Sequence, residues 1–166
     1  MKDLPMTCAA ALALSALGLG GCAEAPAPAP NAAGFYDSLA RPGAAVDAAM
    51  ARAMISAYRG NKGLKPLVLD PGLQALAEAE ARAMAGSGKP ASAEAVKGRA
   101  ASAGFKGPAA NLSAGYHTLP EAFSGWRESP QHDRVLLDRK AARMGIATAY
   151  APGSKYKVYW ALVVGR

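Results

Sequence analysis

The chain is poor in cysteine and histidine, with two of each among 166 residues, and only 7% of it is aromatic. Cys8 and Cys22 both lie in the first 22 positions. Everything after them has no thiol, so neither an intrachain disulfide nor a cysteine-ligated metal site can form there. With only His117 and His132 available, zinc could be bound only with a carboxylate or water beside them, and no dependence on a metal is expected. Acidic residues are also scarce, 12 against 19 Lys and Arg, for a net charge of +7. The excess cations are scattered singly, with no basic block, zinc finger or glycine-flanked aromatic pattern, so no nucleic-acid partner is expected. A mild attraction to anionic envelope surfaces follows from the charge. No Gly-x-Ser-x-Gly elbow occurs, and Ser113, Ser124 and Ser129 make poor nucleophile candidates.

What is present begins with an export signal. Lys2 gives a positive start, and an apolar run follows from Met6 to Leu19, too short to span a bilayer. It ends Leu19-Gly20-Gly21-Cys22, which resembles the bacterial lipobox: an aliphatic residue, two small residues and a cysteine. The expectation is a signal peptide over residues 1–21 and lipidation of Cys22. Its thiol takes a diacylglyceryl group and its new amino terminus an acyl (palmitate-type) chain, and such multi-chain anchors hold firmly. The residue after Cys22 is Ala rather than Asp, so in a diderm host the expected location is the outer membrane. Residues 22–43 read as the anchor, an Ala/Pro-rich tether (AEAPAPAPNAAG, 23–34) and a short cover segment. Alternating Ala-Pro favours polyproline II, at about 3.1 Å per residue, a reach of roughly 40 Å.

Residues 44–166 read as one domain. A helix is expected from Ala44 to Tyr58 on the stripe Val46, Met50, Ala53, Met54 and Ala57. Asp70-Pro71 caps a second, to Ala85. A third runs from Ser92 to before Gly104. NLSAGYH (111–117) is ambiguous between loop and brief strand. Thr118-Leu119-Pro120-Glu121 fits a capping box opening a helix to Arg127. Ser129, as a cap, and Pro130 open another through Leu137. Gly145–Tyr150 and Lys155–Val164 read as strands around the Pro152-Gly153-Ser154 turn, and are expected to pair as an antiparallel hairpin. Helices early and strands late give an α+β fold with helices covering a sheet. Trp126 and Trp160 are expected in the core.

From Met54 to Gly165 the order of local patterns resembles the CAP superfamily, or SCP domain, of cysteine-rich secretory, venom-antigen and plant pathogenesis-related proteins. The patterns are Ala57-Tyr58-Arg59 with Gly63-Leu64-Lys65-Pro66-Leu67; Leu73 through Met84; Glu121, Trp126, Ser129-Pro130, His132 and Leu136-Leu137; then Met144-Gly145-Ile146 and Tyr159-Trp160. The resemblance implies a three-layer α-β-α sandwich and a cleft bearing two His and two Glu. Here Glu121 and His132 match half of that set. The first Glu precedes an Asn in the family, and this chain has Ala110-Asn111. The first His belongs to the loop after the second helix, and here that loop is GSGKPAS.

Glu121, His132, Asn111 and His117 are therefore the cleft or ligand-binding candidates, each with a plainer reading. Glu121 can return a capping bond to the Thr118 amide. His132 can sit in a helix first turn, where the dipole disfavours its protonated form. Asn111 can pin a loop through side-chain to backbone bonds. His117 lies in a loop. No catalytic residue, metal or cofactor is assigned. The leading expectation is a non-catalytic, membrane-anchored envelope protein taking a small apolar, peptide or cell-wall ligand in a degenerate cleft. A peptidase-like hydrolase using His132 and Glu121, or a purely structural lipoprotein, are the alternatives.

Overall fold

The structure, a computed structural model, describes residues 32–166; the signal segment 1–21, Cys22 and the tether up to Asn31 lie outside the described residues. A short helix α1 (Ala32–Phe35) leads through a loop to α2 (Ala48–Gly60). Helix α2 starts four residues later than the apolar stripe suggests. The carboxylate of Asp47, extended in backbone, accepts from the Met50 amide at 3.0 Å and sets the first turn. A two-residue strand β1 (Val68–Leu69) follows, too short to leave a sequence pattern. Asp70 then caps α3 (Pro71–Ser87), accepting from the Gly72 and Leu73 amides. Helix α4 (Ala93–Ser102) is held to α3 by Arg99, whose Nη2 meets Oε2 of the buried Glu80 at 2.7 Å.

The ambiguous segment is a strand, β2 (Ala109–Ala114). Helix α5 (Leu119–Glu128) opens on the full capping box of Thr118 and Glu121. Helix α6 (Pro130–Leu136) follows at once; Ser129 stands at its cap position but makes no side-chain capping bond, contrary to expectation. Strands β3 (Arg143–Tyr150) and β4 (Val158–Gly165) form the hairpin. The second begins three residues later than expected, because Lys157 adopts a φ of 63°, which ends the extended run.

The sheet order is β1-β3-β4-β2, with β1 parallel to β3 and the other pairs antiparallel. All eight residues of β4 are buried. Val158, Trp160, Leu162 and Val164 pack with α2 and α5, while Tyr159, Ala161 and Val163 pack with α3 and α4. Alternating side chains of one strand thus feed two cores, and the architecture is the α-β-α sandwich. Trp126 and Trp160 are fully buried and meet edge to face at 6.0 Å. Each indole N–H is satisfied, by Ser113 Oγ and by the Tyr116 carbonyl.

Two close fits fix the layers. A Cβ on Gly145 would lie 2.2 Å from the backbone of Leu73, so only glycine lets α3 rest on β3. Past β1, the amide of Gln74 replaces a neighbouring strand. Its Oε1 accepts from the Ile146 N–H at 3.0 Å and its Nε2 donates to the Ile146 carbonyl at 2.9 Å.

Arg59, 1% exposed, ties the ends of the layers. Nε donates to the Lys65 carbonyl, Nη1 to those of Leu136 and Asp138, and Nη2 to that of Ala141, all within 3.2 Å. Burial disfavours its charge, and nearby Asp138 partly offsets that. Lysine would keep the charge but not the planar fork. Arg59→Lys is therefore expected to cost about 3 kcal/mol, from lost charged bonds and stranded carbonyls. The check is a urea melt in which the midpoint falls and the slope is unchanged.

Candidate functional site

Strand β2 lies at one edge of the sheet, and a cavity of about 320 Å³ runs beside it. One wall is Ala91 with Ala93, Glu94 and Lys97 of α4; the other is Gln131, His132, Arg134 and Val135 of α6; the floor is residues 109–112 of β2. A second cavity, of about 350 Å³, sits under the cover segment between Asp37 and Met50. It is marginally larger, but none of the candidate residues lines it.

Asn111 is fully buried and lines the first cavity. Its Nδ2 donates to the His132 carbonyl at 3.0 Å, which joins β2 to α6. Its Oδ1 is buried with no protein partner, a costly state for an amide acceptor. His132 is half-buried on the α6 wall, and burial pushes its pKa below the ordinary value. The direction matches the one expected from the helix dipole; the cause is desolvation.

Glu121 and His117 are not among the residues lining this cavity. Oε2 of Glu121 accepts from the amides of His117 (2.7 Å) and Thr118 (3.2 Å), and the Glu121 amide donates to Thr118 Oγ1 (3.4 Å). The His117 carbonyl accepts from the Leu39 amide at 2.7 Å, which fastens the cover segment. Of the four candidates, then, Asn111 and His132 share the cavity, while Glu121 and His117 share the N-terminal turn of α5.

Sequence reasoning did not single out the remaining polar lining: Glu94, Lys97, Gln131 and Arg134. Glu94 and Lys97 form an i,i+3 ion pair at 2.6 Å, and Gln131 and Arg134 repeat that spacing on α6. That spacing was the available signal. Ala110, which the resemblance sets at the position of the first Glu, lines the cavity, as does Ala91 of the GSGKPAS loop to which the resemblance assigns the first His.

The donors present do not fit a divalent ion. His132 is one strong ligand, Glu94 is engaged by Lys97, and among the described residues no group of three His, Cys, Asp or Glu is placed to hold a metal. What the cavity offers is an orphan acceptor, a neutral imidazole and an ion pair, a set suited to hydrogen-bonded recognition.

The family model described as "Cysteine-rich secretory protein family", or CAP, matches residues 52–164. The chain belongs to the CAP family. No curated protein matches it. Solved structures similar to it include a cysteine-rich secretory protein of Staphylococcus aureus (23% identity, TM-score 0.59, 70% of this chain and 37% of that one). An outer surface protein of Borrelia burgdorferi is similar at 16% identity and a TM-score of 0.60, over 71% of this chain and 90% of that one. An extracellular SCP-domain protein of Bacillus anthracis is similar at 17% identity and a TM-score of 0.60, over 72% and 40%. The CAP domain here thus spans well under half the length of the Staphylococcus and Bacillus chains. At these identities the likeness establishes the CAP fold.

The depressed pKa of His132 has a consequence for stability. The folded state binds the proton less readily than the unfolded chain, whose imidazole titrates near pH 6.5. The contribution is complete above about pH 6.5 and is lost as pH falls from there toward the depressed folded value. His132→Gln should flatten this slope. Urea midpoints measured from pH 7.5 to 5.0 on both proteins check it, and parallel curves would place the titration elsewhere.

Proposed function

We propose that this CAP-family chain is a lipid-anchored envelope protein whose domain binds a ligand in the cleft between α4, β2 and α6 without transforming it. The observation that carries the binding reading is the buried, unpartnered Oδ1 of Asn111 on the cavity wall. A fold retains such an acceptor at a cost, and a bound donor removes that cost. The non-catalytic reading follows from the same lining. His132 has no Ser, Thr or Cys beside it in the cavity, and the carboxylate of Glu121 is spent on the α5 cap. A nucleophile–base pair, the minimum for covalent hydrolysis, is therefore not assembled there.

The anchor reading rests on Leu19-Gly20-Gly21-Cys22 at the end of the apolar run. An exported location accords with the names of the similar structures: a secretory protein, an outer surface protein and an extracellular protein. Among the described residues no helix is long and apolar enough to cross a membrane. A Cys22→Ser variant is expected to accumulate as unprocessed precursor with no incorporated lipid label. Normal processing and labelling of that variant would refute the anchor.

The cleft is tested by untargeted mass spectrometry of small molecules retained by the purified chain, followed by titration of the retained compound. The Asn111 side-chain amide signals are expected to shift. Val135→Trp, which fills the cavity from the α6 wall, should weaken binding at least ten-fold. Unchanged binding in that variant, or no Asn111 response, moves the ligand out of this cleft.

A further inference from the structure

We propose that the cleft receives an extended peptide, which adds to the sheet as a fifth strand along the free edge of β2. This rests on the ligand-binding reading above and names the class of ligand.

The first support is the direction of the backbone groups. Ala151 donates its amide to the Lys157 carbonyl, and Gly115 donates its amide to the Val158 carbonyl. Carried through the two registers, these bonds turn the N–H and C=O groups of Tyr159, Ala161 and Val163 toward β3, and those of Val158, Trp160, Leu162 and Val164 toward β2. The partners of the latter set are Gly115, Ser113, Asn111 and Ala109. By alternation, Ala110, Leu112 and Ala114 point their amides and carbonyls away from the sheet. Strand β2 has β4 as its one neighbour, so these groups form an open edge.

The second support is the position of the cavity. A cavity lying on one face of a strand touches every other residue, since successive side chains alternate. This one touches four in succession, Ala109 to Leu112, and so lies along the edge. Helices α4 and α6 pack on opposite faces of the sheet at β2, and their lining residues extend past it as the two walls of a slot. A strand placed about 4.8 Å beyond β2 would lie in that slot, in register with about 14 Å of edge. Natural sheets block such edges with proline, charge or a covering segment. The β2 sequence, AANLSA, carries neither proline nor charge.

The chemistry of the edge selects the ligand. Donors and acceptors of Ala110 and Leu112 repeat every two residues, about 6.8 Å, which is the repeat of an extended peptide. An acyl chain would leave them, and Oδ1 of Asn111, without partners. The walls set alternate side chains. One side presents the small residues Ala91 and Ala93 beside the mutually paired Glu94 and Lys97, and the other His132 and Arg134. A peptide alternating small residues with polar or acidic ones suits both.

The test uses the full chain and a pool of capped heptapeptides, acetyl-(Ala-X)3-Ala-amide, with X drawn from Ser, Thr, Asn, Asp and Glu. Peptides retained by the protein are identified by mass spectrometry and titrated singly. Methylating the peptide amides that pair with β2 should weaken binding at least ten-fold, and methylating the alternate set should change it less than three-fold. Leu112→Pro removes an outward N–H while leaving the ladder to β4, and should weaken binding at least ten-fold. Leu112→Ala loses the side chain but keeps the N–H, so binding by Leu112→Pro should be at least three-fold weaker than by Leu112→Ala, and equal binding by the two overturns the strand proposal. If Leu112→Pro does not fold, the two methylated peptides decide on the unaltered chain. Equal effects of the two methylation patterns overturn the strand proposal. So does a pool from which nothing is retained: if small-molecule binding at Asn111 persists, the cleft reading survives alone, and if that is absent too, both readings fall.

Discussion

The guanidinium of Arg59 holds carbonyls from three separate stretches of chain: Lys65 after α2, Leu136 and Asp138 at the end of α6, and Ala141 before β3. It stands on the last turn of α2 and receives the last turn of α6, so one cation serves the negative ends of two helices. A buried carbonyl without a donor costs roughly 1–3 kcal/mol, and here one side chain answers four. The consequence reaches the cleft. Helix α6 has seven residues, too few to be stable alone, and its position is set by Arg59 at one end and by the α5 junction at the other. The wall bearing His132 and Arg134 stands where it does because of that clamp.

The sheet shows the same economy at its two edges. On one side β1 covers only the start of β3, and the Gln74 amide takes over at Ile146. Gly145 permits the close approach that brings Gln74 into range. On the other side nothing among the described residues plays this part for β2. Asn111 bonds across to α6 with its nitrogen and leaves its oxygen unpaired. One edge is thus closed by a side chain acting as a strand, and the other is left with unmet hydrogen-bonding capacity beside a slot.

This asymmetry bears on the cavity beside β2. Ala91 and Ala110 contribute neither charge nor bulk to its lining. Glu121, a cleft candidate by sequence resemblance, is engaged by two amides of its own helix start. What the lining of this cavity presents is the buried acceptor of Asn111 and the β2 edge, between walls from α4 and α6.

The local features were legible in the chain because they depend on neighbours in sequence. Asp70-Pro71, the Thr118/Glu121 capping box and the helix-spaced Leu73, Ala77, Ala81 and Met84 each announce themselves within a few residues. So does the alternation from Val158 to Val164, although one strand pattern cannot say whether its second face is wet or buried. The tertiary structure decided that, by stacking α3 and α4 against Tyr159, Ala161 and Val163. It also decided what no local pattern encodes: that a two-residue segment at Val68 finds a partner in β3, that Arg59 faces inward, and that Asn111 meets His132 while Glu121 does not line their cavity. Those outcomes rest on contacts between residues from 21 to 82 positions apart, and a sequence read a few turns at a time carries no record of them.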